Sequence, residues 1–289
     1  MTALPPPPAV RDGSPERPEG PGRPAGGALR RLLRATPTQV GLYLAALGAV
    51  IYASYAGANG MGYNWQWYAV PRYLYRIGSH GIRPGPLLIG LGTTIAISAV
   101  SFLLALVLGL GLALLRLSGL VVGRALALGL VEVLRNVPLL VLVYIFYFVL
   151  GPVFGWSRLT ASIAVLAAFH SVLVSEIIRG GIASVARGQW EAAASIGMSR
   201  GQAYRYIVLP QALRIMLPPL TGEAISLIKS SAIVSVIGVA ELTTTGRDIV
   251  SDTYMSFEIW FTVAALYLVL TVLLSFAAGR LEARLKQEG

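Results

Sequence analysis

"GQWEAAASIGMSRGQAYRYIVLPQ", Gly188 to Gln211, lies between two strongly apolar segments of a 289-residue chain. The stretch is polar and alanine-rich, is broken by Gly197, and carries Arg200 and Arg205. Gln189 to Ser195 is a good helix former, with Glu191 expected in an early turn, where a carboxylate suits the helix dipole. Gly197 allows a sharp reversal, since without a Cβ it enters backbone conformations closed to other residues. Gln202 to Val208 can begin a second short helix, which Pro210 ends or bends into the next segment. The expected product is a helix, turn, helix projection held in water beside an apolar layer.

Composition identifies that layer. Hydrophobic residues make up 55% of the chain and charged residues 12%, and the mean hydropathy is +0.69. A soluble domain carries about 25% charged residues, so roughly half the usual charge is missing. Apolar runs of about 20 residues, enough to cross a bilayer, recur along the sequence. The fold class is therefore an all-α integral membrane protein. With no cysteine, disulfides, iron–sulfur clusters and thiolate zinc sites are excluded. Two histidines, His80 and His170, are too few for a histidine-built metal site, so no metal or cofactor is expected. The net charge of +10 has a topological meaning here rather than a nucleic-acid one, because Lys and Arg collect on the cytoplasmic side.

Residues 1–34 read as a Pro- and Gly-rich disordered tail, since such a stretch cannot bury enough apolar surface to offset its ordering entropy. It lacks the apolar core of a signal peptide. "LRRLLR", Leu29 to Arg34, should hold it in the cytoplasm. Residues 35–85 then hold a first span, about Gln39 to Ala56, and an extracytoplasmic loop whose "YNWQWY" and "PRYLYR" suit the membrane–water interface. Further spans are expected at about Leu87 to Leu115, Leu128 to Leu150, Leu159 to Ile178, Leu217 to Leu242 and Ile259 to Ala278. The Leu217 span contains Pro218, Pro219, Glu223 and Lys229, and hydropathy alone leaves it undecided. Charge decides for it: without that crossing the basic "RLEARLK" would face outward. Six transmembrane helices with both termini cytoplasmic place 17 of the 23 Lys and Arg inside.

The spacing of the opening stretch carries a resemblance. Glu191-Ala192-Ala193, three residues, Gly197, nine residues, Ile207, one residue, Leu209-Pro210 is similar to the EAA motif of ABC-importer permeases. "GLGTTIAIS", "EVLRNVPLLV", "SEIIRGGIASVARGQWEAAASIGMS", "YIVLPQALRIMLPPL" and "SVIGVAEL", in that order, resemble the permeases of polar amino acid uptake systems. The likeness covers about Pro86 to Lys286. It implies a five-helix importer core over 86–286, to which the first span is an addition, with a cytoplasmic coupling loop at 187–210. Glu191, Ala192, Ala193, Gly197, Ile207, Leu209 and Pro210 would then dock an ATP-binding subunit. The implied partners are two such subunits, a second permease that is identical or homologous, an extracytoplasmic solute-binding protein, and membrane lipid. The solute implied is a polar amino acid. The chain itself is expected to be no enzyme and to bind no ATP, since it has no G-x-x-x-x-G-K-[ST] loop.

Charges inside spans are costly and mark pathways by default. Lys229, Ser230, Ser231, Glu223 and His170 are accordingly candidate pathway residues. Against this, Lys229 and Glu223 read equally well as a buried structural pair, and His170 as an interhelical hydrogen-bonding residue. Pro218 and Pro219 are expected to break a helix beside the path. Glu176–Arg179 and Glu132–Arg135, each three apart, read as helix-surface pairs. Many relatives carry "KDTSL" where this chain has "KSSAI", Lys229 to Ile233, so a carboxylate after the lysine is missing. Alternative solutes are an opine, a compatible solute or an amino-acid derivative. An ion-coupled secondary transporter would need inverted repeats, and the sequence shows no such symmetry.

Overall fold

The computed structural model describes residues 36–78 and 81–287. The tail 1–34 and the residues Ser79 and His80 lie outside these. The chain divides at Asn64 and Trp65 into two units. The first contains α1, Thr36–Gly60, an apolar helix long enough to cross a bilayer.

The second unit opens with a 3-10 turn, Trp67–Ala69, the single turn α2, Pro71–Leu74, and an antiparallel pair, β1 Tyr75–Gly78 and β2 Gly81–Pro84. Ile77 pairs with Ile82 and Arg76 with Arg83. This small hairpin was not foreseen. It belongs to the same unit as the helices that follow, and Gln66 N–H donates to the Glu258 carboxylate at 2.6 Å.

α3, Pro86–Leu117, begins with a proline at its first turn, where no N–H is needed. Its 32 residues span about 48 Å at 1.5 Å per residue, longer than the ~30 Å hydrocarbon layer. α4, Val121–Asn136, is followed by α5, Leu139–Tyr144, a π-helical stretch Ile145–Leu150, and α6, Gly151–Phe154. Here one straight span was expected, and the structure bends it by 108°. Pro138 is the cause. Its ring drives Val137 into extended backbone at φ −94 and ψ 128. The helix restarts at Leu139.

α7, Arg158–Ala183, is capped by Ser157, whose hydroxyl accepts from Thr160 N–H. α8, Arg187–Ser195, and α9, Arg200–Ala203, form the expected projection. A π-helical segment, Tyr204–Val208, runs without a gap into α10, Leu209–Ser230. Pro210 therefore neither ends nor interrupts this helix. Leu209 N–H reaches Tyr204 O, one residue further than in an α-turn, and this wider turn takes up the proline that follows. Pro218 and Pro219 do not break α10 either. As neighbours they disturb one turn only, and the Thr221 hydroxyl donates to Pro218 O at 2.7 Å in that turn. A 3-10 segment, Ser231–Ile237, then leads to α11, Leu242–Thr253, and the long α12, Ser256–Gln287. Among the described residues five helices are long and apolar enough to cross, six with the bent pair counted as one span.

α3 is the spine of the second unit. A Cβ at Gly109 would lie 2.6 Å from Val174 Cγ1 and 2.8 Å from Ser171 O, so α3 and α7 meet backbone to backbone there. A Cβ at Gly90 would meet Thr245 Oγ1 at 2.7 Å and the Leu242 Cα at 3.1 Å, which is how closely α3 approaches the start of α11. That start is held by Glu241, which is fully buried. Its carboxylate accepts from Thr243 N–H at 2.8 Å, Thr244 N–H at 2.7 Å and the Tyr267 hydroxyl at 3.0 Å. Thr94 of α3 accepts from Leu242 N–H at 3.1 Å. A buried acid is tolerated where donors and the positive end of a helix surround it.

Gly109→Ala should lower the melting temperature in detergent, because overpacking costs about 1–3 kcal/mol. Gly111→Ala, with nothing within 4 Å of its added methyl, should leave it unchanged. Equal melting of the two variants would remove the Gly109 crossing from this account.

Candidate functional site

The projection is built by local rules. α8 ends in a reversal in which Gly197 takes φ 80, with Gly197 N–H bonded to Ala194 O and Met198 N–H to Ala193 O, both at 3.0 Å. This is a Schellman closure, and the left-handed residue it requires is the glycine. Ser199 starts the second helix with a reciprocal cap: its hydroxyl accepts from Gln202 N–H, and Gln202 Oε1 accepts from Ser199 N–H at 2.9 Å. Turn and cap together fix the shape of the loop independently of what lies beneath it.

Glu191 falls in the second turn of α8, because the helix starts at Arg187. Its partner is Arg187 at 3.0 Å, four residues away and exposed, rather than the helix N-terminus. A pair of that kind contributes about 0.3–0.5 kcal/mol, so the carboxylate remains available to another molecule. Ala192, Gly197, Leu209 and Pro210 are exposed as well, Ile207 is half-buried, and Ala193 is buried. Ile196 and Tyr206, 71% and 62% exposed, add apolar area to the same projection. Trp190, which sequence reasoning passed over, turns inward against Tyr204 with ring centroids 4.7 Å apart. A single tryptophan in a polar loop was the signal.

Above the loop, Glu176 of α7 accepts from Arg116 of α3 at 2.7 Å and from Arg179 at 2.9 Å. The expected Glu176–Arg179 pair is present, and the interhelical arm to Arg116 is new. The expected Glu132–Arg135 pair does not form. Glu132 Oε2 instead accepts from the Asn136 amide at 3.0 Å, beside the break at Pro138.

The candidate pathway residues separate into two groups. His170 Nδ1 and Glu223 Oε1 lie 2.5 Å apart across the α7–α10 contact, with side chains 1% and 11% exposed. His170 Nε2 is buried without a hydrogen-bond partner. Lys229 is exposed, and among the described residues it makes no salt bridge. A Lys229–Glu223 pair is thus absent. Six residues along one helix turn the two side chains about 120° apart at ~100° per residue, and Glu223 faces α7. Ser231 is buried and donates to Ile228 O at 2.7 Å, which leaves Lys229 and the half-buried Ser230 as the accessible members.

Helices long and apolar enough to cross a membrane, a locally closed projection between two of them and an exposed cation on one of them fit a membrane transport protein. The comparisons agree. Residues 105–287 match the family described as binding-protein-dependent transport system inner membrane component. The chain is 40% identical over 205 residues to the glutamine transport system permease protein GlnP of Escherichia coli (strain K12), covering 70% of this chain and 94% of that one. It is 37% identical over 200 residues to the nopaline transport system permease protein NocM of Agrobacterium fabrum (strain C58), 65% of this chain and 83% of that one. A crystal structure of an amino acid ABC transporter with histidines superposes with a TM-score of 0.65 at 38% identity, covering 69% of this chain and 94% of its own. The chain belongs to the binding-protein-dependent transport system inner membrane component family.

His170→Ala should lower the melting temperature, because it leaves the Glu223 carboxylate without its partner at about 1–3 kcal/mol, whereas Glu223→Gln, whose amide can still bond His170, should lower it less. Lys229→Met should not lower it. The Lys229→Met/Glu223→Gln double variant should melt as Glu223→Gln alone does, since sites without shared partners are independent within about 0.5 kcal/mol. A rescued double variant would restore the Lys229–Glu223 pairing.

Proposed function

We propose that this permease carries a polar amino acid inward across the cytoplasmic membrane, driven by ATP hydrolysed on separate subunits. The observation that carries the solute class is the likeness to a glutamine permease over 94% of that protein's length. Two permease subunits, identical or homologous, form the pathway, and two ATP-binding subunits dock on the loop Gly188 to Gln211 from the cytoplasm. Glu191 and Ala192 supply part of the docking face, and Gly197 supplies the turn that presents it. A solute-binding protein delivers the amino acid from outside. The excess of basic residues on one side of the expected topology supports cytoplasmic termini.

Within the pathway, Lys229 meets the solute carboxylate. An ammonium at membrane depth is penalised by about 2.5–3.5 kcal/mol on insertion scales, and no acid of this chain offsets it among the described residues. A passing carboxylate forms the charge-assisted hydrogen bond that Lys229 lacks. A second reading, an opine as solute, is favoured by the likeness to a nopaline permease at 37% identity.

The test is uptake of radiolabelled glutamine and nopaline into proteoliposomes holding the permease, its ATP-binding subunit and its binding protein. ATP-dependent glutamine uptake is expected. Stable isolation without an ATP-binding subunit, with uptake driven by an ion gradient alone, would overturn the importer reading. Glu191→Arg should leave insertion and melting unchanged while uptake falls by about tenfold or more, the range of ordinary coupling energies; Gly197→Pro, which removes the N–H and the positive φ that close the turn, should still insert but lose the loop's shape and uptake with it. Lys229→Met should lose uptake while keeping melting temperature and basal ATPase. Wild-type uptake in any of these would remove that residue's role.

A further inference from the structure

The projection holds its own shape, so something must tie it to the helices in the membrane. α8 has nine residues and leans on local bonds: the Gly197 closure, the Ser199 cap and the exposed Arg187–Glu191 pair. Among the described residues its polar link to α10 is Gln211 Nε2 donating to Gln189 Oε1, at a long 3.4 Å. The remaining ties are apolar. Val185, just before α8, and Ala193 within it are buried but small. Trp190 is the one large apolar side chain that α8 sends inward. It packs against the cluster formed by Ala105 and Ala113 of α3, Val174 and Ile178 of α7, and Val208 and Met216. Its ring meets Tyr204 edge-on, with planes 79° apart.

Tyr204 opens the π-helical turn that continues into α10, and α10 carries Glu223 and Lys229. Tyr204 also lines an apolar cavity of about 500 Å³ together with Leu209, Leu213 and Met216. A side chain that meets a rigid aromatic ring and also borders open space can shift without compressing a filled core. Close-packed interiors elsewhere resist such a shift.

We propose that Trp190 is the positioning residue that makes the coupling loop move with α10, by pressing on Tyr204. The inference rests on the importer reading above. Glu191 and its neighbours would receive the motor's movement, and Trp190 would hand it to the helix that lines the path. With alanine at 190 the ATP-binding subunit still docks and cycles, but its stroke is lost in the loop.

The test compares wild type, Trp190→Ala and Trp190→Phe as full complexes in proteoliposomes, reading glutamine uptake per ATP hydrolysed. Trp190→Ala should co-purify with the ATP-binding subunit and hydrolyse ATP within about twofold of wild type, while uptake per ATP falls about tenfold, again the span of coupling energies. Trp190→Phe should keep at least about half the wild-type ratio, since an aromatic ring remains. The chain contains no cysteine, so the pair Gln189→Cys and Gln211→Cys can be bridged selectively with dibromobimane. Bridging should restore uptake per ATP in the Trp190→Ala background. An unchanged ratio in Trp190→Ala, equal loss of ATPase and uptake, loss of the ATP-binding subunit on purification, or no recovery on bridging would each overturn the role. A wild-type complex that takes up neither glutamine nor nopaline would sink the importer reading itself, a different result from a variant failing beside an active wild type.

Discussion

Lipid gives one apolar helix no hydrophobic reason to leave it for another, so helices in a bilayer associate only where they fit closely or share polar groups. The second unit meets this constraint along α3. Gly109 brings α3 against α7 and Gly90 brings it against the start of α11, each at distances that a Cβ would violate. The position of α7 fixes where the loop leaves the membrane, and the position of α11 fixes the far end of the bundle. Both follow from residues without side chains.

The polar groups inside the unit are treated consistently. Glu241 is enclosed by two backbone N–H groups and a tyrosine hydroxyl, Glu223 by His170, and Glu176 by two arginines. Each of these acids has lost its freedom to bind something else. Lys229 has not, and it differs from them for a geometric reason: it sits on a face of α10 that nothing among the described residues covers. The loop shows the same division. Its outer face is polar and adaptable, while its inner face is a tryptophan and two buried alanines, Ala193 and Ala203.

Four prolines at three sites share one covalent chemistry and differ in outcome. Pro138 follows Val137, which goes extended, and the span bends by 108°. Pro210 enters after a π-turn that gives it room, and the helix runs on. Pro218 and Pro219 stand together inside α10 without breaking it. Sequence reasoning expected Pro210 to end or bend the helix, Pro218–Pro219 to break one, and a single span to run through Pro138; the helix runs on through Pro210 and Pro218–Pro219, and the break falls at Pro138. A proline always removes one donor and crowds one carbonyl. Whether the helix yields depends on the neighbouring turns and helices, which are not local information.

The sequence alone determined the membrane class, the existence of the spans, the projection at Gly188 to Gln211 and the family. Each is written in local or additive terms: hydropathy summed over a window, a glycine where a left-handed residue is needed, a serine three residues before a glutamine, a spaced motif. It also gave Glu176 its Arg179 partner, since that contact lies within one helix turn. Only the tertiary structure decided that Glu223 belongs to His170, 53 residues earlier, and not to Lys229 on its own helix. Only the fold added Arg116 to Glu176, closed three donors around the Glu241 carboxylate, and turned Trp190 inward onto Tyr204. The physical reason is that a side chain's partner is set by which helix faces it and at what depth, and those are consequences of packing that no window of sequence contains.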